Sequence, residues 1–245
     1  MVSHFHLFGP VHMAILIAVV GLAMLLCGLA RKSTRSGQWV RYGLGTFLAL
    51  NELIWYGYRI HGEGFRFPEG LPLQLCDVTL WLTVIALFTL QPLAFETAYF
   101  AGLSGSGMAL LTPDLWAPLR SYPTVYFFVA HGLVVASILM LVLSRQANPR
   151  PGSVWRIFGV LNAYAALVGA FNTIFKTNYM YLCRKPASAS LLDVLGAWPF
   201  YLMACEGLAL FLFWLLWIPV RERTAMPNTN RYPEIAATRR FNRTP

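Results

Sequence analysis

The sequence predicts an all-α fold, a polytopic membrane helical bundle of about seven transmembrane helices, with the N-terminus outside and the C-terminus inside. Three observations predict it. Of 245 residues, 57% are hydrophobic and only 12% charged, whereas soluble domains carry about 25% charged residues. Seven continuous apolar stretches approach the roughly 20 residues that a bilayer crossing needs. Arginine and lysine gather in alternate connections, the pattern that sets orientation.

Taken in order, the stretches are 10–30, 40–60, 72–91, 93–112, 122–143, 154–176 and 198–219. None alternates with the period of a strand, and backbone satisfaction in lipid favours helices. Arg31, Lys32, Arg35 and Arg41 separate the first two. Arg145, Arg150 and Arg156 flank the fifth connection, and Arg221, Arg223, Arg231, Arg239, Arg240 and Arg243 follow the last helix. These regions fall on one side, which the positive-inside rule makes cytoplasmic. Lys176, Arg184 and Lys185 argue the other way but are outnumbered. Residues 1–220 read as one transmembrane domain and 221–245 as a basic, disordered cytoplasmic tail. "MVSHFHLFGPVHM" carries no Lys or Arg before its apolar run, unlike a cleaved signal peptide. The +9 net charge is explained by the flanking loops, so no nucleic-acid partner is expected. Cys27, Cys76, Cys183 and Cys205 have no metal-ligand spacing. Neither a metal nor another cofactor is expected.

An ionisable group inside a spanning helix costs roughly 2.5–3.5 kcal/mol on insertion scales, so each is a candidate for function. Glu52, Asp77, Glu96, His131, Lys176 and Glu206 are such groups. Glu96 sits near a helix end, within expected reach of water. His131 lies roughly 13 Å inside its helix at 1.5 Å per residue. Asn162, Ala166, Gly169, Asn172, Thr173 and Lys176 recur at helical spacing, and Asn178 and Tyr179 continue the stripe. Together these groups predict a polar cavity in the outer half of the bundle, with Glu52, Asp77 and Glu206 as polar members. Cys76 of "LPLQLCDVTLWL" and His131 are the thiol and imidazole in it. A cysteine activated by a base is the minimum apparatus for acyl transfer through a thioester. Asp77 points away from Cys76 and is expected to pair with another helix, with Lys176 as partner. Asn172, Lys176, Asn178 and Tyr179 are candidates for substrate or oxyanion binding. Asp114 and Asp193 are expected to shape the outer loops. The spacing of Ala98, Gly102 and Ser106 predicts a close-packing face.

"LPLQLCDVTLWL", "ALLTPDLW", "FFVAHGLVV" and "NYMYLCRKPASASLLDVLGAWPFY", in this order, resemble the YwaF-like family of integral membrane proteins. That family includes eukaryotic transmembrane protein 164, and the resemblance runs from about residue 45 to 218. It implies a cysteine-dependent acyltransferase or lipid ester hydrolase, with Cys76 as nucleophile and His131 as its partner. The implied partners are membrane phospholipid or lysophospholipid, and the implied location is the bacterial cytoplasmic membrane. Many bacterial relatives read "LPLHLC", whereas this chain has Gln74 at the histidine position. The alternative class is a solute-binding or transport protein using the same polar cavity without catalysis.

Overall fold

The structure, a computed structural model, describes residues 5–186 and 191–222. All but the first two residues of the basic tail therefore lie outside the described residues. Among those described, every regular element is helical. The chain runs α1 (Pro10–Ala30), α2 (Thr34–Glu63), α3 (Leu75–Thr89) and α4 (Pro92–Thr97), then a π-helical segment (Ala98–Ser106). It continues through α5 (Gly107–Leu111), α6 (Tyr122–Leu143) and α7 (Ser153–Phe175), and ends with α8 (Phe200–Trp217). Two single 3₁₀ turns, Tyr179–Tyr181 and Leu191–Asp193, lie between α7 and α8.

Each start and stop has a local cause. Proline at the first turn opens α1, α4 and α6, where its missing N–H costs nothing. The Ser33 hydroxyl caps α2 by accepting from the Ser36 amide at 3.0 Å. Gly152, at φ 75°, supplies the left-handed turn before α7. Gln91 caps α4 after only a two-residue break from α3.

Among the described residues four helices, α1, α6, α7 and α8, are long and apolar enough to cross a membrane. By composition and helix length the chain is an integral membrane protein. The other three predicted crossings depart from the ideal for distinct reasons. Helix α3 has only 15 residues. The rod from Pro92 to Leu111 is divided by its π segment. Helix α2 has 30 residues but carries five charged side chains, Arg35, Arg41, Glu52, Arg59 and Glu63. Arg41 and Glu52 are buried, while Phe47, Leu50, Leu53, Ile54 and Tyr58 are exposed. That inversion of the soluble pattern suits a lipid exterior.

Helix α6 is the central post. It packs on α1, α2, α3 and the π segment, and most of it is buried. Close approach needs glycine at two points. A β-carbon at Gly102 would stand 2.8 Å from Ile138, and one at Gly132 would stand 2.9 Å from Val19. Ala98, Gly102 and Ser106 are all buried, as their spacing predicts, though in a π rather than an α segment. Helices α7 and α8 form an outer pair with broadly exposed apolar faces, including Leu167, Ile174, Met203 and Phe211.

Glu96 corrects the expectation that it reaches water. It is 0% exposed, and both oxygens of its carboxylate are engaged. Arg150 donates from Nε at 2.8 Å, from a terminal nitrogen at 2.9 Å and from its backbone amide at 2.8 Å. Arg156 adds a fourth bond at 2.9 Å. These bonds raise the Arg150 pKa further above its ordinary value. They tie α4 to the α6–α7 connection and to the first turn of α7. Arg41 plays a related part by donating at 3.1 Å to the Leu87 carbonyl near the C-terminus of α3. Replacing Glu96 with Gln leaves two arginines facing an uncharged amide. Because both are partly exposed, the expected cost is about 2–3 kcal/mol, below the 3–5 of a fully buried pair. Reversible unfolding in mixed micelles measures this, and a change within 0.5 kcal/mol would contradict the clamp.

Candidate functional site

At the end of the bundle where α3 begins, a cavity of about 490 Å³ opens between α2, α3, α6 and two connections. Its deep wall is apolar, with Leu80, Ala130 and Val134. Its mouth is polar and aromatic, with Arg59, Glu63, Gln74, Asp77, Asp114, Trp116 and Tyr181. Cys76 and His131 both line it. The exposed surface of Cys76 faces this cavity, and no cysteine among those described is disulfide-bonded.

The positions of these groups follow from local structure. Gln74 is the N-cap of α3, so Cys76 falls in the first helical turn, where backbone amides lack intrahelical acceptors. Asp77 accepts from the Gln74 amide at 3.3 Å, one half of a reciprocal cap. This corrects the expected Asp77–Lys176 pair. Asp77 is held by its own helix terminus, and Lys176 lies in a different pocket. Thr79 and Thr83 turn their hydroxyls to carbonyls of α3, at 3.1 Å to Cys76 and 2.7 Å to Thr79. They are satisfied within the helix and leave the cavity to the thiol.

His131 is oriented by one bond. Its Nδ1 lies 2.8 Å from the Phe127 carbonyl oxygen, which can only accept. Nδ1 therefore carries the proton, and Nε2 keeps a free lone pair. The Phe127 ring packs beside the imidazole at 4.3 Å. His12, fully buried in α1, differs from the half-buried His131: Phe8 donates to its Nδ1 at 2.9 Å, and its Nε2 lies 2.7 Å from the Leu110 carbonyl. Nδ1 is spent on the turn that leads into α1, and Nε2 holds α1 to the end of α5.

Glu52 stands behind the cavity wall rather than in it. Tyr126, which lines the cavity, donates its hydroxyl to Glu52 and stacks on Trp55 at 4.2 Å. Trp81 donates to Tyr56 at 3.1 Å in the same polar cluster. Glu206 is elsewhere, accepting from Asn162 at 2.9 Å across the α7–α8 pair. The expected polar stripe on α7 likewise does not line this cavity, because α7 is peripheral and its polar groups bond locally. Thr173 donates back to Gly169 at 2.9 Å.

Asn172 and Asn178 are loop builders. Asn172 is buried and donates to the Tyr179 carbonyl at 2.9 Å. It accepts from the Tyr179 amide at 2.9 Å and from the Thr177 hydroxyl at 2.7 Å. Asn178 accepts from the amides of Cys183 and Arg184, both at 3.1 Å, and donates to the Arg184 carbonyl at 2.8 Å. The buried Tyr179 donates its hydroxyl to Pro68 at 2.8 Å. Of the four candidate binding residues, only Lys176 keeps a side chain uncommitted to these bonds. The loop carries Tyr181 to the cavity, where partial desolvation pushes the phenol above its ordinary pKa.

Sequence pattern does not reveal Gln74, Arg59, Trp116 and Tyr181 as cavity residues, because each lies at a helix end or in a loop, where helical periodicity gives no direction. Gln74 has a signal in its departure from the "LPLHLC" pattern. Its side-chain oxygen accepts from the Met180 amide at 3.0 Å, joining the α3 terminus to the 176–184 loop.

An all-helical chain whose long apolar helices could span a bilayer defines a class: an integral membrane protein. The chain belongs to the TMEM164 family, which it matches over residues 4–217. That span begins well before the quoted motifs and takes in α1 as well. Neither a curated protein nor a solved structure matches the chain.

Replacing Asn172 with Ala removes three hydrogen bonds and strands buried partners, each worth about 1–3 kcal/mol. Backbone amides of 177–184 should then exchange with solvent at least tenfold faster, with α6 unchanged. Hydrogen exchange read by mass spectrometry decides this, and equal protection in both proteins would refute the loop-building role.

Proposed function

We propose that the protein transfers or hydrolyses acyl groups of membrane lipid esters through a thioester on Cys76, with His131 as the base. One observation carries this reading: Cys76 and His131 line one cavity, and the Phe127 carbonyl leaves His131 Nε2 as the basic nitrogen. The cavity is of a size usual for small-ligand sites, about 300–1,000 Å³. Its apolar depth suits an acyl chain, and its polar mouth suits a glycerol ester.

The proposed chemistry is balanced within these two groups. His131 Nε2 takes the thiol proton as the sulfur bonds to the ester carbonyl carbon, whose oxygen gains the electron pair. Collapse breaks the bond to the ester oxygen, which leaves with the proton from the imidazolium. A lysophospholipid hydroxyl or water, deprotonated at the same nitrogen, then opens the thioester and restores the thiol. The amides of Leu75 and Cys76, at the open end of α3, are our candidates for holding the transient oxyanion. Asn172, Asn178 and Tyr179 are not used, since their hydrogen bonds build the loop.

The same reading takes all seven helical rods as crossings of a bacterial cytoplasmic membrane, with the cavity toward the outer face. The inward charges of α2 support its crossing. The arginines at the α1–α2 and α6–α7 connections support an inner location for that end.

Purified protein incubated with phospholipid should gain an acyl mass on Cys76 that hydroxylamine removes. Cys76→Ser should abolish the adduct, and His131→Ala should slow its formation by about 10²–10⁴, the usual contribution of a general base. Folded, lipid-bound protein that never acquires the adduct would sink the thioester reading in favour of solute binding.

A further inference from the structure

A second pocket, of about 230 Å³, lies beside the first and shares Gln74 with it. Lys176, Arg184 and Glu69 line it, together with Thr177, Asn178 and Tyr179. Among the described residues, neither the Lys176 ammonium nor the Arg184 guanidinium has an ion-pair partner. The four described ion pairs involve other groups, and Glu69 joins none of them. Two cations thus share one concave site with a single carboxylate, a net positive balance. The neighbouring cavity has the opposite balance, with Glu63, Asp77 and Asp114 against Arg59. An anion approaching this end of the bundle is repelled from the first pocket and attracted to the second.

The backbone that presents these cations is held in an unfavourable shape. Lys176, Met180 and Tyr181 have φ of 59°, 56° and 52°, a left-handed conformation that costs a non-glycine residue about 1–2 kcal/mol. Asn172 and Asn178 hold it there with six side-chain bonds. A loop fixed in this way presents Lys176 and Arg184 without the ordering cost that a free loop would meet on binding. Gln74 bonds the same loop and caps the helix that carries Cys76 two residues later. The cationic pocket and the thiol are therefore built on one connected frame.

We propose that the Lys176–Arg184 pocket is a phosphate subsite, which holds the phosphodiester of a lipid headgroup while the ester of the same molecule faces Cys76. This rests on the acyl-transfer reading for the role of the cavity, but not for the anion binding itself.

The test uses the full chain carrying Cys76→Ser, in nonionic maltoside micelles, so that binding is read without turnover. The probes are dihexanoyl phosphatidylglycerol, dihexanoylglycerol and inorganic phosphate, followed by calorimetry. The phospholipid should bind, the neutral glyceride should not, and adding Lys176→Gln with Arg184→Gln should weaken the phospholipid at least tenfold. High salt should weaken it too. An Arg120→Gln comparator should bind as the parent does. If the double variant fails to fold, Arg184→Gln alone serves, since this side chain is exposed. Undiminished binding in the charge-neutral variants, or equal binding of the neutral glyceride, would overturn the subsite. Inorganic phosphate binding as tightly as the phospholipid would overturn the headgroup source and assign a free anion instead. Failure of thioester formation leaves all these readouts intact, so the two ideas fail separately.

Discussion

The constraint on which this fold depends is that a polar group inside an apolar bundle must find its partner within the protein. Water is not there to substitute, and each orphaned group costs several kcal/mol. The charged groups answer the demand by different routes, and Arg41 Nε and Glu52 Oε1 still lack a partner among the described residues. Glu96 takes two arginines, Arg41 takes a helix-end carbonyl, Asp77 takes the amide of its own cap, and Glu52 takes a tyrosine hydroxyl. These choices also decide which way the helices face. Helix α2 turns Arg41 and Glu52 inward and its aliphatic side chains outward, so its rotation follows from its charges as much as from its packing.

The two ends of the bundle use this rule differently. At the end with the arginine-rich connections, Glu96 is matched by two arginines, and the clamp leaves neither carboxylate oxygen idle. At the other end the helices begin and finish around a space, and several polar groups point into it. Cys76 and His131 sit there among groups of mixed charge. The π segment lies between these regions and places Ser106 at the cavity wall. Wide turns of this kind recur where a helix must depart from regular packing to serve a site.

How much of the molecule is legible in its sequence follows from which forces are periodic. Apolar runs locate the helices closely, and α1 and α6 have the predicted ends, because burial in an apolar medium is a property of long segments. Depth along a helix is also legible, which is why the sequence alone groups Cys76 with His131. Rotation about a peripheral helix is not. The stripe on α7 has helical spacing, yet its Asn and Thr side chains bond to their own helix, to α8 or to the following loop. Nor can spacing show that Asn172 and Asn178 are spent on backbone, since an asparagine that binds substrate and one that builds a turn are the same letter. Arg59, Trp116 and Tyr181 reach the cavity through the course of connections, which obey no period.

The bond between His131 and the Phe127 carbonyl has a consequence for vectorial chemistry. A histidine that carries protons across a barrier receives one at one nitrogen and releases it at the other. Here Nδ1 is closed by a carbonyl oxygen that cannot accept a proton onward, so the ring is a cul-de-sac with a single door at Nε2. A proton that enters must leave by the way it came. Such a group suits a cycle in which the same proton is borrowed and returned.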